Sequence, residues 1–203
     1  MSTSRRTLFA TVALIGLGGS AFAQTPPQIS RVRGTIDGVD GSSLNVTTRT
    51  GDQVTMKLAA DASYTLIAPI SIEAIKPGSF IGTAAVTQPD GTLKALEIQV
   101  FPESMRGVGE GHRPWDLGAG STMTNGTVGD LKVSSGRLLT LTYKGGEQKV
   151  FVPEKAPIIT YEPATRDALA KGAHIIAFVA KAADGSLTAT RVGVGKDGLV
   201  PPM

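Results

Sequence analysis

Four residues in one short stretch have the types and proximity to hold a cation. Glu103, Glu110, His112 and Asp116 lie within 14 positions of one another, in a segment too rich in glycine to be regular. An irregular loop there can converge two or three carboxylates and an imidazole on a divalent metal ion, the set of ligands such an ion takes. Beside that ion, His112 or Glu110 would be placed to act as a general base, so a metal-dependent hydrolase is one reading of the stretch. Arg113 and Trp115 add a cation and the sole tryptophan, which suit contact with a ligand or a partner. A lone tryptophan buries a large apolar area, so the segment is expected to be docked rather than swinging free.

Other chemistry is excluded by context. "GVGEG" (107–111) suggests a phosphate loop, but such a loop opens a helix, and Pro114, Gly118 and Gly120 follow directly. Neither a G-x-S-x-G elbow nor an H-E-x-x-H pair occurs, and with two histidines in the chain a three-histidine zinc site cannot form. There is no cysteine, hence no disulfide, thiolate ligand or cysteine nucleophile. His174 stands opposite Phe80 when the two halves of the chain are aligned, which assigns it to the end of a barrel.

The elements that must position these residues follow from a repeat. "GTIDGVDGSSLNV" from Gly34 is echoed by "GTVGDLKVSSGRLLTL" from Gly126, and Gly78, Asp90-Gly91 and Val100 each return 94 positions later as Gly172, Asp184-Gly185 and Val194. Within the first unit, strands are expected over 30–38, 43–49 and 52–59, where Leu44, Val46 and Thr48 alternate with Asn45, Thr47 and Arg49. A short helix is expected in "SIEAIKPG", and its counterpart "PATRDALAKG" has proline first and glycine last. A hairpin across the Asp-Gly turn ends each unit. Three strands, a short helix and two strands is the order of an OB-like barrel. The expected architecture is therefore mostly β, two tandem five-stranded OB-like barrels over 30–101 and 122–196, each with one short helix before its fourth strand, joined by a Gly-rich linker at 102–121.

On those motifs each half resembles the small exported bacterial β-barrel domains of unknown function. Gly34-Thr35-Ile36, Leu44, Val46, Gly78, Asp90-Gly91-Thr92-Leu93 and Ala95 carry the resemblance in the first half; Gly126-Thr127-Val128, Gly172, Asp184-Gly185-Ser186-Leu187 and Ala189 carry it in the second. The resemblance implies architecture and brings no catalytic residue. The linker is similar to a stretch of uncharacterised proteobacterial proteins.

Residues 1–23 place the chain. Arg5-Arg6, an apolar run from Leu8 to Leu17 and Ala21-Phe22-Ala23 read as a cleaved signal peptide, and "SRRTLF" also fits the twin-arginine route. The expected location is periplasmic or secreted, with no membrane span. Cleavage removes two of the 20 basic residues and none of the 17 acidic ones, leaving 18 against 17. Near-balanced charge and few aromatics give no footprint for nucleic acid, despite the OB-like order. A non-catalytic binding or scaffold protein for a small ligand, a metal ion or an envelope partner is the reading favoured over the hydrolase.

Overall fold

The computed structural model describes residues 29–132 and 137–203, so the expected signal peptide lies outside the described residues. The chain is mostly β. Its strands are β1 (Ile29–Asp40), β2 (Ser43–Thr48), β3 (Gln53–Pro69), β4 (Phe80–Thr87), β5 (Leu93–Val100), β6 (Gly111–Pro114), β7 (Ser121–Lys132), β8 (Leu138–Tyr143), β9 (Gly146–Phe151), β10 (Ile158–Ala164), β11 (His174–Lys181) and β12 (Leu187–Gly195). The expected meanders and Asp-Gly hairpins form. Gly91 and Gly185 adopt φ of 82° and 85°, and the preceding aspartates Asp90 and Asp184 each accept a 2.9 Å hydrogen bond from the backbone N–H two residues on.

The two expected helices shrink to single 3-10 turns at Ile72–Ala74 and Arg166–Ala168, and Pro163, the expected first residue of the second helix, is paired with Thr65 inside β10. Eight to ten residues closed by a glycine are too few to offset helix nucleation when the flanking chain is held in strands.

The larger correction concerns which strands pair. Barrels over 30–101 and 122–196 in succession would keep each three-strand meander with the hairpin that follows it. Instead β1–β2–β3 closes with β11 and β12, through antiparallel β1–β11 and parallel β12–β3. In the same way β7–β8–β9 closes with β4 and β5, through antiparallel β4–β7 and parallel β5–β9. Each closed five-stranded ring therefore takes its meander from one half of the sequence and its hairpin from the other. The interiors agree: Ile36, Leu44, Val46 and Met56 pack with Ile175, Ala177, Val192 and Val194, whereas Ile81, Leu93 and Ile98 pack with Val128, Leu139, Leu141 and Val150.

The registers repeat in step with the sequence. Thr188 opposes Lys57 as Lys94 opposes Phe151, and Val192 opposes Tyr64 as Ile98 of β5 opposes Ile158 of β10. β3 crosses its whole length unbroken, whereas Pro153 and Pro157 divide the corresponding stretch into β9 and β10, since proline cannot donate to a ladder. The distal part of β3 pairs antiparallel with β10 and joins the rings, with Ile67 opposite Tyr161 at the middle. Around that pair a third core of Ile67, Ile159, Ile176 and Met203 occupies part of the space between the rings.

One glycine position recurs where backbones come closest. A Cβ on Gly34 would run into the Thr47 carbonyl oxygen, and one on Gly126 would lie 2.6 Å from that of Thr142. The G-T-[IV] starts thus record tight crossing of β1 over β2 and of β7 over β8.

Candidate functional site

Alternation along the strands decides what faces the space between the rings. In β1, Val32 and Ile36 point into the first ring, so Arg31 and Arg33 point out of it; in β11 and β12 the same parity turns Ile176, Phe178, Arg191 and Gly193 outward. In β5, Ile98 is inside the second ring while Glu97 and Gln99 are outside, and buried between the rings. Of these outward residues Arg31, Gln99, Ile176, Phe178, Arg191 and Gly193, with Tyr161 of β10 and Met203, bound a cleft of about 350 Å³. Its outer wall is the former linker, contributing Met105, Val108, Gly109, Arg113 and Trp115.

That wall is regular where it was expected to be irregular. β6 pairs antiparallel with β7 from Gly111 opposite Asn125 to Pro114 opposite Thr122, and the Trp115 N–H donates to the Ser121 carbonyl at 2.8 Å. Trp115 is docked. Its ring lies 3.7 Å from the Arg31 guanidinium and 5.6 Å from that of Arg113; Phe178 lies 5.7 Å from Arg31 and 4.1 Å from Arg191. Cations and aromatic faces alternate along one wall in the order Arg191, Phe178, Arg31, Trp115, Arg113, a stacking arrangement that suits guanidinium groups.

The wall carries unmet hydrogen-bonding capacity. Among the described residues Arg31 Nε, Arg191 Nε, Trp115 Nε1 and Asn125 Oδ1 are buried without a hydrogen-bond partner, and all four residues line the cleft. Burial holds the pKa of Arg191 and of Arg113 below the ordinary guanidinium value, and the charge of Arg31 adds to this in both. On the opposite side Tyr161 donates to Gln99 Oε1 at 2.6 Å, and Gln99 Nε2 donates to Glu97 Oε1 at 2.7 Å. Burial raises Glu97 to about 7, against the opposing effects of the Gln99 hydrogen bond and of Arg33 and Arg49. The Tyr161 hydroxyl is likewise raised, by burial first and by the nearby Glu97 second. Residues 199–203 lie over this region, where the Pro201 and Met203 carbonyls accept from Arg49 and from Arg33, the latter at 2.6 Å.

The four residues expected to share a metal ion go four separate ways. Glu103 pairs with Arg106 at 2.6 Å and is exposed. Glu110 accepts from the backbone N–H of Lys144 at 2.9 Å, and His112 Nδ1 meets Thr124 Oγ1 at 2.8 Å with its ring near Tyr143. Asp116 takes Arg33 at 2.8 Å and Arg31 at 3.2 Å. Burial alone would raise its carboxyl, but Arg33 and then Arg31 outweigh burial and hold it below the ordinary value. Among the described residues no group of three or more histidine, cysteine, aspartate or glutamate side chains converges. Of the expected contact residues, Arg113 and Trp115 do line the cleft. His174 stands at the start of β11, bonded to Thr35 Oγ1 at 3.0 Å.

Comparison with protein-family models, curated proteins and solved structures finds no match to this chain. No helix among the described residues is long and apolar enough to cross a membrane.

The residues missed from the sequence are Arg31, Gln99, Asn125, Tyr161, Phe178 and Arg191. A signal for them exists in the differences between the halves. Structurally equivalent registers set Arg31 against Met123 and Phe178 against Ala84. The constant spacing further along the chain sets Arg191 against Glu97 and Tyr161 against Ile67. Several positions whose side chains differ in size, charge or polarity between otherwise matching strands line the cleft.

Proposed function

We propose that this chain is a non-catalytic binding protein of the bacterial envelope or exterior, in which two OB-like barrels made from a duplicated unit hold a small ligand between them. The carrying observation is the cleft, whose lining contains four residues with a buried polar atom that no group among the described residues satisfies. Buried polar groups are ordinarily paired, and a wall with several unpaired ones is suited to a ligand that completes them. The same lining contains no histidine, cysteine, serine or carboxylate, and so offers no general base near neutrality. Each ring has the meander-plus-hairpin content and the single parallel closure that support an OB-like description. Export rests on the Arg5-Arg6, apolar and Ala-x-Ala pattern of residues 1–23.

Trp115 makes the reading testable, because it borders the cleft. The neutral fluorophore N-phenyl-1-naphthylamine, titrated into the full chain, is expected to accept excitation energy from Trp115 with saturation at one molecule per chain. Absence of saturable transfer both to this arene and to its anionic counterpart 8-anilinonaphthalene-1-sulfonate refutes the reading.

A further inference from the structure

The cleft has more hydrogen-bond donors than its own acceptors can use, and they are cationic. Arg31, Arg113 and Arg191 enter one space of about 350 Å³ with no carboxylate in its lining. Arg31 has a partner outside, in Asp116, which it shares with Arg33. Arg113 uses one terminal nitrogen on the Gly109 carbonyl at 2.7 Å. The Arg191 guanidinium hydrogen-bonds to no group among the described residues and lies over the Phe178 ring at 4.1 Å. A guanidinium stacked by its face keeps its in-plane N–H groups directed outward, in the fork that matches a carboxylate or sulfonate. Three like charges in a partly desolvated space repel one another, and a bound anion relieves that repulsion.

The rest of the lining is apolar and flat or pliable. Trp115 and Phe178 present ring faces along the cationic wall, and Met105, Met123 and Met203 stand around them. Methionines adapt to a flat apolar body and contact aromatic rings favourably. A bare phosphate would leave this surface unused, and a neutral hydrocarbon would leave the guanidinium groups unpaired.

We infer that the cleft takes a small planar aromatic anion, an arene of one or two rings bearing a carboxylate or sulfonate, with the arene along Trp115 and Phe178 and the acidic group on Arg191. This rests on the binding reading above and adds the ligand's chemical class. The closing experiment separates the two by using one arene with and without its charge.

The full chain is titrated with 8-anilinonaphthalene-1-sulfonate and with neutral N-phenyl-1-naphthylamine, following energy transfer from Trp115. The sulfonate is expected to bind about tenfold or more tightly than the neutral arene, with an affinity that falls as salt is added. Arg191→Gln is expected to remove most of that preference while leaving the neutral arene's affinity unchanged. Lys57→Gln, which deletes an equal charge on an exposed strand position away from the cleft, keeps the preference. Matching far-UV circular dichroism of the three proteins excludes misfolding as the cause. Equal affinity for the two arenes, or an Arg191→Gln protein that retains the preference, overturns the inference and leaves the binding reading standing. Failure of both arenes to bind overturns both.

Discussion

Replacing Glu97 by glutamine tests the burial of a carboxyl between the rings. Glu97 is fully buried; one oxygen accepts from Gln99 at 2.7 Å, and the other has no partner among the described residues. Arg33 and Arg49 are near enough to favour the charged form without making an ion pair with it, and burial still raises the pKa from 4.5 to about 7. Between those values the folded state binds more protons than the unfolded chain, so stability falls as pH rises. The slope is about 1.4 kcal/mol per pH unit, which accumulates to about 3 kcal/mol by pH 7 and is constant above it. Glutamine keeps the shape and the acceptor for Gln99 but never ionises. Urea unfolding of parent and Glu97→Gln, followed by Trp115 emission and circular dichroism from pH 4 to 8, should give equal stabilities at pH 4. The variant should be about 3 kcal/mol more stable at pH 8. Groups common to both proteins cancel in the difference. A difference that is independent of pH, or one that favours the parent at pH 8, refutes the assignment of a raised carboxyl to this site.

Four further outcomes are expected. Trp115 emission should be blue-shifted and protected from acrylamide, and Trp115→Ala should cost about 2 kcal/mol in urea unfolding through lost burial and stacking on Arg31. Gly126→Ala should cost about 2 kcal/mol or more because its methyl meets the Thr142 carbonyl, whereas Gly38→Ala, with open space around it, should cost less than about 0.5. Asp116→Asn should lose about 1 kcal/mol at pH 7 and nothing at pH 2, because a lowered carboxyl stabilises only above its unfolded pKa; the melting temperature should be indifferent to a chelator or to added zinc. Residues 29–101 produced alone should give no cooperative unfolding transition, and should acquire one when mixed with residues 102–203, since each ring needs strands from both.

Much of the fold is legible because turns and alternation are local. The Asp90-Gly91 and Asp184-Gly185 turns, the parity of Leu44 and Val46, and the paired glycines Gly34 and Gly126 each declare their role within a few residues. The partner of a hairpin is not local. β4–β5 could close on the meander before it or on the one after it with the same inward parity, and two meanders of similar alternation give both choices nearly equal surfaces. The helix in "PATRDALAKG" was misread because proline-first and glycine-last marks also frame a strand end followed by a 3-10 turn. At the candidate site, Trp115 and Arg113 stood out by rarity and position. Arg31, Phe178 and Arg191 did not, because a charged or aromatic residue on a strand's outer face is ordinarily a wetted position. Only the opposing ring makes it a wall. Glu103, Glu110, His112 and Asp116 were grouped by sequence proximity, yet each is held by a different neighbour: Glu103 by Arg106, Glu110 by the Lys144 backbone, His112 by Thr124 across β6 and β7, and Asp116 by Arg31 and Arg33.

The exchanged hairpins also set an order of assembly during synthesis. The second ring is nested within the chain: β4 through β9 have all emerged once Phe151 is made. The first ring waits with three strands ready, its β1 edge lacking β11 until His174 to Lys181 emerge and its β3 edge lacking β12 until Leu187 to Gly195 follow. Through that interval both edges expose unpaired backbone groups, the condition under which strands add to neighbouring chains. Closure over so long a separation is slow as well, since the loop entropy is spent before any contact repays it. Late capture of β11 and β12 is thus the step at which a nascent molecule is open to a chaperone, or to a second copy of itself.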